Sequence, residues 1–223
     1  MGNASPVGPI STILFDADGV MQRTAPGWQE ELIAMIGPRE DVDGPEFAAA
    51  VQRAEAPTMD GRTDIADAML AVLRRYSVSL RVDDILDLWT RITPDQSMLE
   101  AVQALRRPGL RLCLATNQQL QRAAWMKANL PYGELFDEQF YSCDLGLAKP
   151  DPAYFTAILD RLGATASSVL FVDDTPPNVE SAVQLGLHAH LFRRGGGRQV
   201  LEEILRQHGI EIDPVPVTLG QGE

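Results

Sequence analysis

The chain has 223 residues and is 45% hydrophobic, enough to bury one substantial core and a smaller satellite. Its net charge of −12 counts against nucleic acid or anionic membrane as the main partner, since both need a basic footprint. No apolar run approaches the length that crosses a bilayer, and residues 1–9 have neither a basic start nor an apolar stretch, so a cytoplasmic location is expected.

Residues 10–15 form an apolar run that reads as the first strand, and Asp16-Ala17-Asp18-Gly19 follows it directly. Residues two apart on an extended backbone face the same side, so Asp16 and Asp18 can address one pocket while Gly19 turns the chain away. Alone, such a stretch is equally an ordinary turn. Between Met21 and about Pro94 the strand signal disappears, and residues 28–36, 45–53, 65–76 and 83–89 read as helices. The third carries Ile65, Met69, Val72, Leu73 and Tyr76 on one face. An all-helical block after the first strand predicts a small cap domain over residues 23–94, with linkers near 23–25 and 92–94.

From residue 109 onward, apolar runs at 110–115, 139–143, 169–172 and 189–192 alternate with helical stretches at 119–129, 153–162, 177–185 and 199–207. This is the pattern of βαβ units and a parallel sheet, an α/β core over residues 1–22 and 95–212. Ligands in such folds bind at the carboxyl ends of the strands. The tail, residues 213–223, is expected to be mobile or loosely draped. Cys113 and Cys143 fall in predicted strands and read as buried apolar fillers, and His188, His190 and His208 have no spacing suited to zinc or to a Ser-His-Asp triad. The Arg193-Arg194-Gly195-Gly196-Gly197-Arg198 stretch lacks the Lys-Ser/Thr of a Walker motif and reads as a solvated loop.

Three further segments sit at or near strand ends. Thr116-Asn117 can cap a helix, or donate a hydroxyl and backbone amides to a phosphate. Lys149 before Pro150 is either a solvated lysine or an ammonium that balances carboxylates and an incoming phosphate. Asp173-Asp174, ahead of Thr175-Pro176-Pro177-Asn178, can start a helix or hold Mg²⁺, which takes oxygen ligands and often needs only one or two carboxylates. Phosphoryl transfer needs a nucleophile, a cation and donors around the phosphate oxygens. Asp16 suits the nucleophile that forms an acyl phosphate, and Asp18 suits general acid then general base. Four such segments in order at successive strand ends favour catalysis over a separate turn, a solvated lysine and two caps.

Those four segments resemble the motifs of the haloacid dehalogenase-like hydrolase superfamily over roughly residues 10–212. The resemblance implies a Rossmann-like sheet core flanked by helices, with a small α-helical cap inserted after the first motif. It implies Asp16 as nucleophile and Mg²⁺ ligand, Asp18 as acid/base that also offers its backbone carbonyl to Mg²⁺, and Thr116, Asn117 and Lys149 around the phosphate. Asp174 falls at the direct metal-binding position, and Asp173 resembles an acid that some members use through water. Asn178 stands where the superfamily often has a further Asp, which shifts weight to Asp173. Dehalogenase members lack a counterpart of Asp18, so its presence points to phosphate esters. Phe171-Val172-Asp173-Asp174, with Cys143-Asp144-Leu145-Gly146 ahead of Lys149, is similar to the branch of sugar-1-phosphate phosphatases and of the phosphatase domain of soluble epoxide hydrolases.

The expectation is therefore a Mg²⁺-dependent phosphatase acting on a small phosphorylated metabolite, as a monomer or weak dimer. A phosphomutase and a catalytically silent phospholigand-binding module are the alternatives. Arg23, Trp28, Met59, Asp60 and Arg62 are candidates to close over the substrate, with Arg62 expected to touch it.

Overall fold

The computed structural model describes residues 9–212, so the tail expected over 213–223 lies outside the described residues. Strand β1 (Thr12–Phe15) is buried along its whole length, as a central strand covered on both faces must be. After it, β2 (Gln22–Thr24) leads into α1 (Trp28–Ile36), α2 (Gly44–Glu55), α3 (Ile65–Arg75) and α4 (Val82–Thr90), and β3 (Ile92–Pro94) returns antiparallel to β2. The two segments expected as plain linkers thus pair into a ribbon, with Arg23 opposite Thr93. Pairing satisfies backbone groups that two adjacent crossing segments would otherwise leave to solvent.

Asp43 and Asp64 start α2 and α3, their side chains accepting from the backbone N–H of Glu46 and Ala66. The four helices pack around Leu32, Phe47, Val51, Met69, Leu73 and Leu88, a cluster separate from those of the sheet. Burying each such side chain contributes about 1.5–3 kcal/mol.

Helix α5 (Gln96–Ala104) was not expected; the Asp95 carboxylate caps it, accepting from the N–H of Ser97 and Met98. There follow β4 (Arg111–Thr116), α6 (Leu120–Asn129), α7 (Tyr132–Leu135), β5 (Glu138–Tyr141), α8 (Ser142–Leu145) and α9 (Pro152–Leu162). The strand expected over 139–143 therefore ends at Tyr141. Cys143 belongs to α8, a single turn closed by Gly146 in the left-handed region at φ 69°. The chain ends with β6 (Val169–Asp173), α10 (Pro176–Gln184), β7 (His188–Leu191) and α11 (Gly197–Arg206).

The five long strands form one parallel sheet in the order β5-β4-β1-β6-β7. Alternation along the strands builds two layers. Ile13, Phe15, Leu112, Leu114, Leu170 and Val172 pack with Met98, Met126 and Leu201 of α5, α6 and α11. Leu14, Cys113, Ala115 and Phe171 face the other way, onto Tyr154, Phe155 and Ile158 of α9. Among the described residues, no helix is long and apolar enough to cross a membrane.

Candidate active site

The parallel register brings the carboxyl ends of β1, β4 and β6 to one edge of the sheet, which places Asp16, Thr116 and Asp173 side by side. Asp16 follows β1 directly and extends its ladder, its N–H donating to the carbonyl of Val172 at 2.9 Å. The two alternative capping readings and the solvated-lysine reading do not hold. Gln119 caps α6, accepting from Gln121 and Arg122, so Thr116 and Asn117 are left free of that task. Asp151 caps α9, two residues past Lys149. Neither Asp173 nor Asp174 caps α10, whose N-cap position is Thr175, without a side-chain cap bond.

Lys149 is the centre of the arrangement. Its side chain is 1% exposed, and its ammonium makes three bonds: to Asp16 Oδ1 at 2.8 Å, Asp173 Oδ2 at 2.6 Å and the carbonyl of Ala115 at 2.8 Å. All three N–H donors are therefore satisfied. Burial would lower its pKa, but the two carboxylates raise it instead, so the ammonium stays charged. The Asn117 side chain fixes this lysine: its amide donates to the Lys149 carbonyl at 2.7 Å and accepts the Lys149 N–H at 2.9 Å, while its backbone N–H takes no part in these two bonds.

Burial drives the Asp16 carboxyl up to about 7, with Lys149 offsetting part of the rise and Asp173 adding to it. Oδ2 of Asp16 has no hydrogen-bond partner among the described residues. Asp173 is fully engaged, accepting from Lys149, from the Thr175 N–H at 2.8 Å and from Asn178 Nδ2 at 3.1 Å to each oxygen. Asp174 pairs with Arg194, from the loop expected to be merely solvated. Gly19, at φ 85°, lies against the same carboxylate, and a Cβ there would collide with it.

Asp16, Asp173 and Asp174 each offer a carboxylate oxygen within 4.8 Å of the others. With Asp18 nearby, four carboxylates face the cations of Lys149, Arg122 and Arg194. A compact, all-oxygen set with surplus negative charge fits a hard divalent cation such as Mg²⁺. A cavity of about 430 Å³ opens onto the group and is lined by Asp16, Asp18, Thr116, Asn117, Lys149 and Asp174, among others.

Two residues that the sequence reading passed over complete the picture. Arg122 of α6, its side chain 8% exposed, grips Asp18 at both oxygens, Nη1 to Oδ2 at 2.5 Å and Nη2 to Oδ1 at 2.8 Å. The same guanidinium donates to Thr24 Oγ1 on β2 at 3.1 Å and to the Trp89 carbonyl on α4 at 2.8 Å. Burial alone would raise the Asp18 carboxyl, but Arg122, with hydrogen bonds from Gln118 and Gln22, holds it down at about 2. Glu55, half-buried at the end of α2, is pushed up to about 7 by burial, with Arg122 opposing and Asp18 reinforcing the rise. Replacing Arg122 with Gln is expected to lower turnover of an aryl phosphate by about ten- to a hundredfold, because it removes the contact that positions Asp18 and unfastens β2 and α4 from it at once. Arg122→Lys is expected not to restore it, since an ammonium cannot form the two-pronged contact; steady-state rates of both variants check this.

Arg62 lies apart from the cluster. Its guanidinium donates to the Gly146 carbonyl at 3.0 Å and pairs with Asp60 at 3.5 Å, and it does not line the cavity around Asp16. The turn that carries it docks on the sheet core: Ser142 Oγ donates to the Met59 carbonyl at 2.5 Å, and a Cβ on Gly61 would lie 2.6 Å from the Cys143 carbonyl.

The family profile described as haloacid dehalogenase-like hydrolase matches residues 10–186. The chain belongs to this family. Phosphatase MT3486 of Mycobacterium tuberculosis is 30% identical over 84% of the chain and 89% of that protein. Bifunctional epoxide hydrolase 2 of Rattus norvegicus is 28% identical over 55% of the chain, which matches 23% of that larger protein, so the chain spans less than a quarter of this relative's length. A haloacid dehalogenase family enzyme from Bacteroides thetaiotaomicron, solved in complex with magnesium and inorganic phosphate, superposes with a TM-score of 0.69 at 20% identity, covering 83% of the chain and 96% of its own. That likeness carries the fold, which is the one expected: a parallel α/β sheet flanked by helices.

Proposed function

We propose that this hydrolase is a Mg²⁺-dependent phosphatase of small phosphorylated metabolites that works through an aspartyl-phosphate at Asp16. The observation that carries the reading is the convergence of Asp16, Lys149, Asp173 and Asp174 on one cavity, with an oxygen of Asp16 unengaged. Oδ2 of Asp16 attacks phosphorus as the bond to the ester oxygen breaks, and Asp18 delivers a proton to the departing alkoxide. Water then attacks the acyl phosphate, Asp18 takes its proton, and inorganic phosphate leaves with Asp16 restored. The Lys149 ammonium sets positive charge beside the phosphate and donates to it by releasing one of its three present acceptors, while the Thr116 hydroxyl and the Asn117 N–H donate to phosphate oxygens. Asp16, Asp174 and the Asp18 carbonyl would hold Mg²⁺, with Asp173 placed to act through water, and the cation would neutralise phosphate charge as it develops.

Asp18 cannot carry a proton while Arg122 grips it, so the transfer requires the two to part. Because Arg122 also holds Thr24 and Trp89, that parting is tied to movement of the helical block, residues 23–94, which we assign as a cap over the core of residues 1–22 and 95–212. The relative named phosphatase and the fold neighbour's bound magnesium and phosphate support the same reading.

The test is phosphate release from an aryl phosphate and from a panel of phosphorylated sugars, nucleotides and short acids, with Mg²⁺ and with a chelator. Release with Mg²⁺ and none with chelator is expected. No release under either condition overturns the proposal, and release that depends on a bisphosphate primer assigns the chain as a mutase instead.

A further inference from the structure

A second and larger cavity, about 800 Å³, adjoins the reacting centre, and nothing in the mechanism so far uses it. It runs along the ribbon and the start of α1, lined by Arg23, Thr24, Trp28, Gln29 and Thr93, and it meets the smaller cavity at Asp18 and Arg194. Its volume falls in the range of small-molecule sites.

The direction of the leaving group follows from Asp18. The residue that protonates the ester oxygen has to touch it, and Asp18 lines both cavities. With the phosphate among Asp16, Thr116 and Lys149, the alcohol portion is placed in the larger one, which Arg62 does not line.

The charge of this cavity runs against that of the chain. The protein carries −12 overall, yet among the described residues Asp18 is the only acidic one lining the cavity, and Arg122 already neutralises it. Of its two arginines, Arg194 is paired with Asp174. Arg23 has no hydrogen-bond or ion-pair partner among the described residues, and its backbone is fixed by pairing with Thr93 across the ribbon. Trp28 also lines the cavity, its ring braced edge-on by Trp89 at 6.0 Å. An arginine held on a paired strand, unpartnered and facing a cavity, presents a planar fork of donors that matches a carboxylate or phosphate.

We propose, on the basis of the phosphatase reading above, that Arg23 forms a subsite for a second anionic group, so that the preferred substrate is a phosphate monoester whose alcohol portion ends in a carboxylate or a second phosphate. Arg23 is a specificity residue that acts on the leaving group.

The experiment compares kcat/KM for propyl phosphate, its analogue with a terminal carboxylate and its analogue with a terminal second phosphate, in the wild type, Arg23→Gln and Arg23→Glu. Each ratio between esters is read within one protein, so a general loss of activity does not disturb it. The wild type is expected to favour at least one anionic ester by about tenfold or more, mainly through KM, and the favoured one identifies the group. Arg23→Gln is expected to remove most of the preference and Arg23→Glu to reverse it, and rising salt to weaken it in the wild type. In the Asp16→Asn background, calorimetric affinities are expected to show the same ratios without turnover. Equal kcat/KM for all three esters, or a preference that survives Arg23→Gln and disappears in Arg62→Gln, overturns the subsite and leaves the phosphatase reading standing. Absence of Mg²⁺-dependent hydrolysis of every ester overturns that reading, and the subsite with it.

Discussion

Asp16→Asn is expected to lower Mg²⁺-dependent turnover of an aryl phosphate by at least about a thousandfold, because an amide of the same shape cannot attack phosphorus. Stability is expected to move the other way. Burial lifts the Asp16 carboxyl from 3.8 to about 7. A carboxyl raised on folding binds its proton more tightly in the native state, so its contribution is present at low pH and is lost as pH rises through that value. With chelator present, the wild type should therefore melt a few degrees below Asp16→Asn at about pH 8, and the gap should narrow at about pH 5. Thermal melts across this range check it. A variant that melts below the wild type at the higher pH would show that the charged carboxylate is well compensated.

Lys149→Met is expected to damage both the fold and the reaction. Among the described residues the lysine is the only ammonium on Asp16 and Asp173, whose side chains are 9% and 0% exposed. Removing one member of a buried charge set costs about 3–5 kcal/mol, because the partners are left uncompensated. For a chain of this size that corresponds to a melting point lower by roughly 10 °C. Activity is expected to fall by more than about a hundredfold, since the positive charge beside Asp16 and the phosphate is lost as well. Adding Asp173→Asn to Lys149→Met is expected to recover part of the stability and none of the activity, which separates the two effects. A Lys149→Met protein that melts like the wild type would contradict the buried pairing.

The strand-end residues were legible because their chemistry sits in local order: an apolar run, then Asp16 or Asp173, at ends that a parallel sheet must align. Asn117 was read for its backbone amide alone; that its side chain holds the Lys149 backbone is a contact between segments distant in the chain, which no local pattern announces. Arg122 was passed over for a similar reason. A charged residue on an amphipathic helix looks like a solvated one, and its burial follows from where α6 meets the ribbon and α4. Arg194 sits in a glycine-rich stretch, and its pairing with Asp174 depends on how the segment after β7 folds back. The ribbon strands are too short for alternation to register. Helix α5, by contrast, was readable: Met98, Ala101, Val102 and Leu105 recur at i, i+3, i+4 and i+7 behind a capping Asp95.

Borohydride quenching during turnover tests most directly whether Asp16 carries the phosphoryl group, because the reagent reduces an acyl phosphate and leaves a free carboxylate intact. Peptide mapping is expected to find reduction at Asp16 alone, only when substrate and Mg²⁺ are both present, and none in Asp16→Asn. Steady Mg²⁺-dependent hydrolysis with Asp16 unreduced, or reduction at another acid, would contradict it.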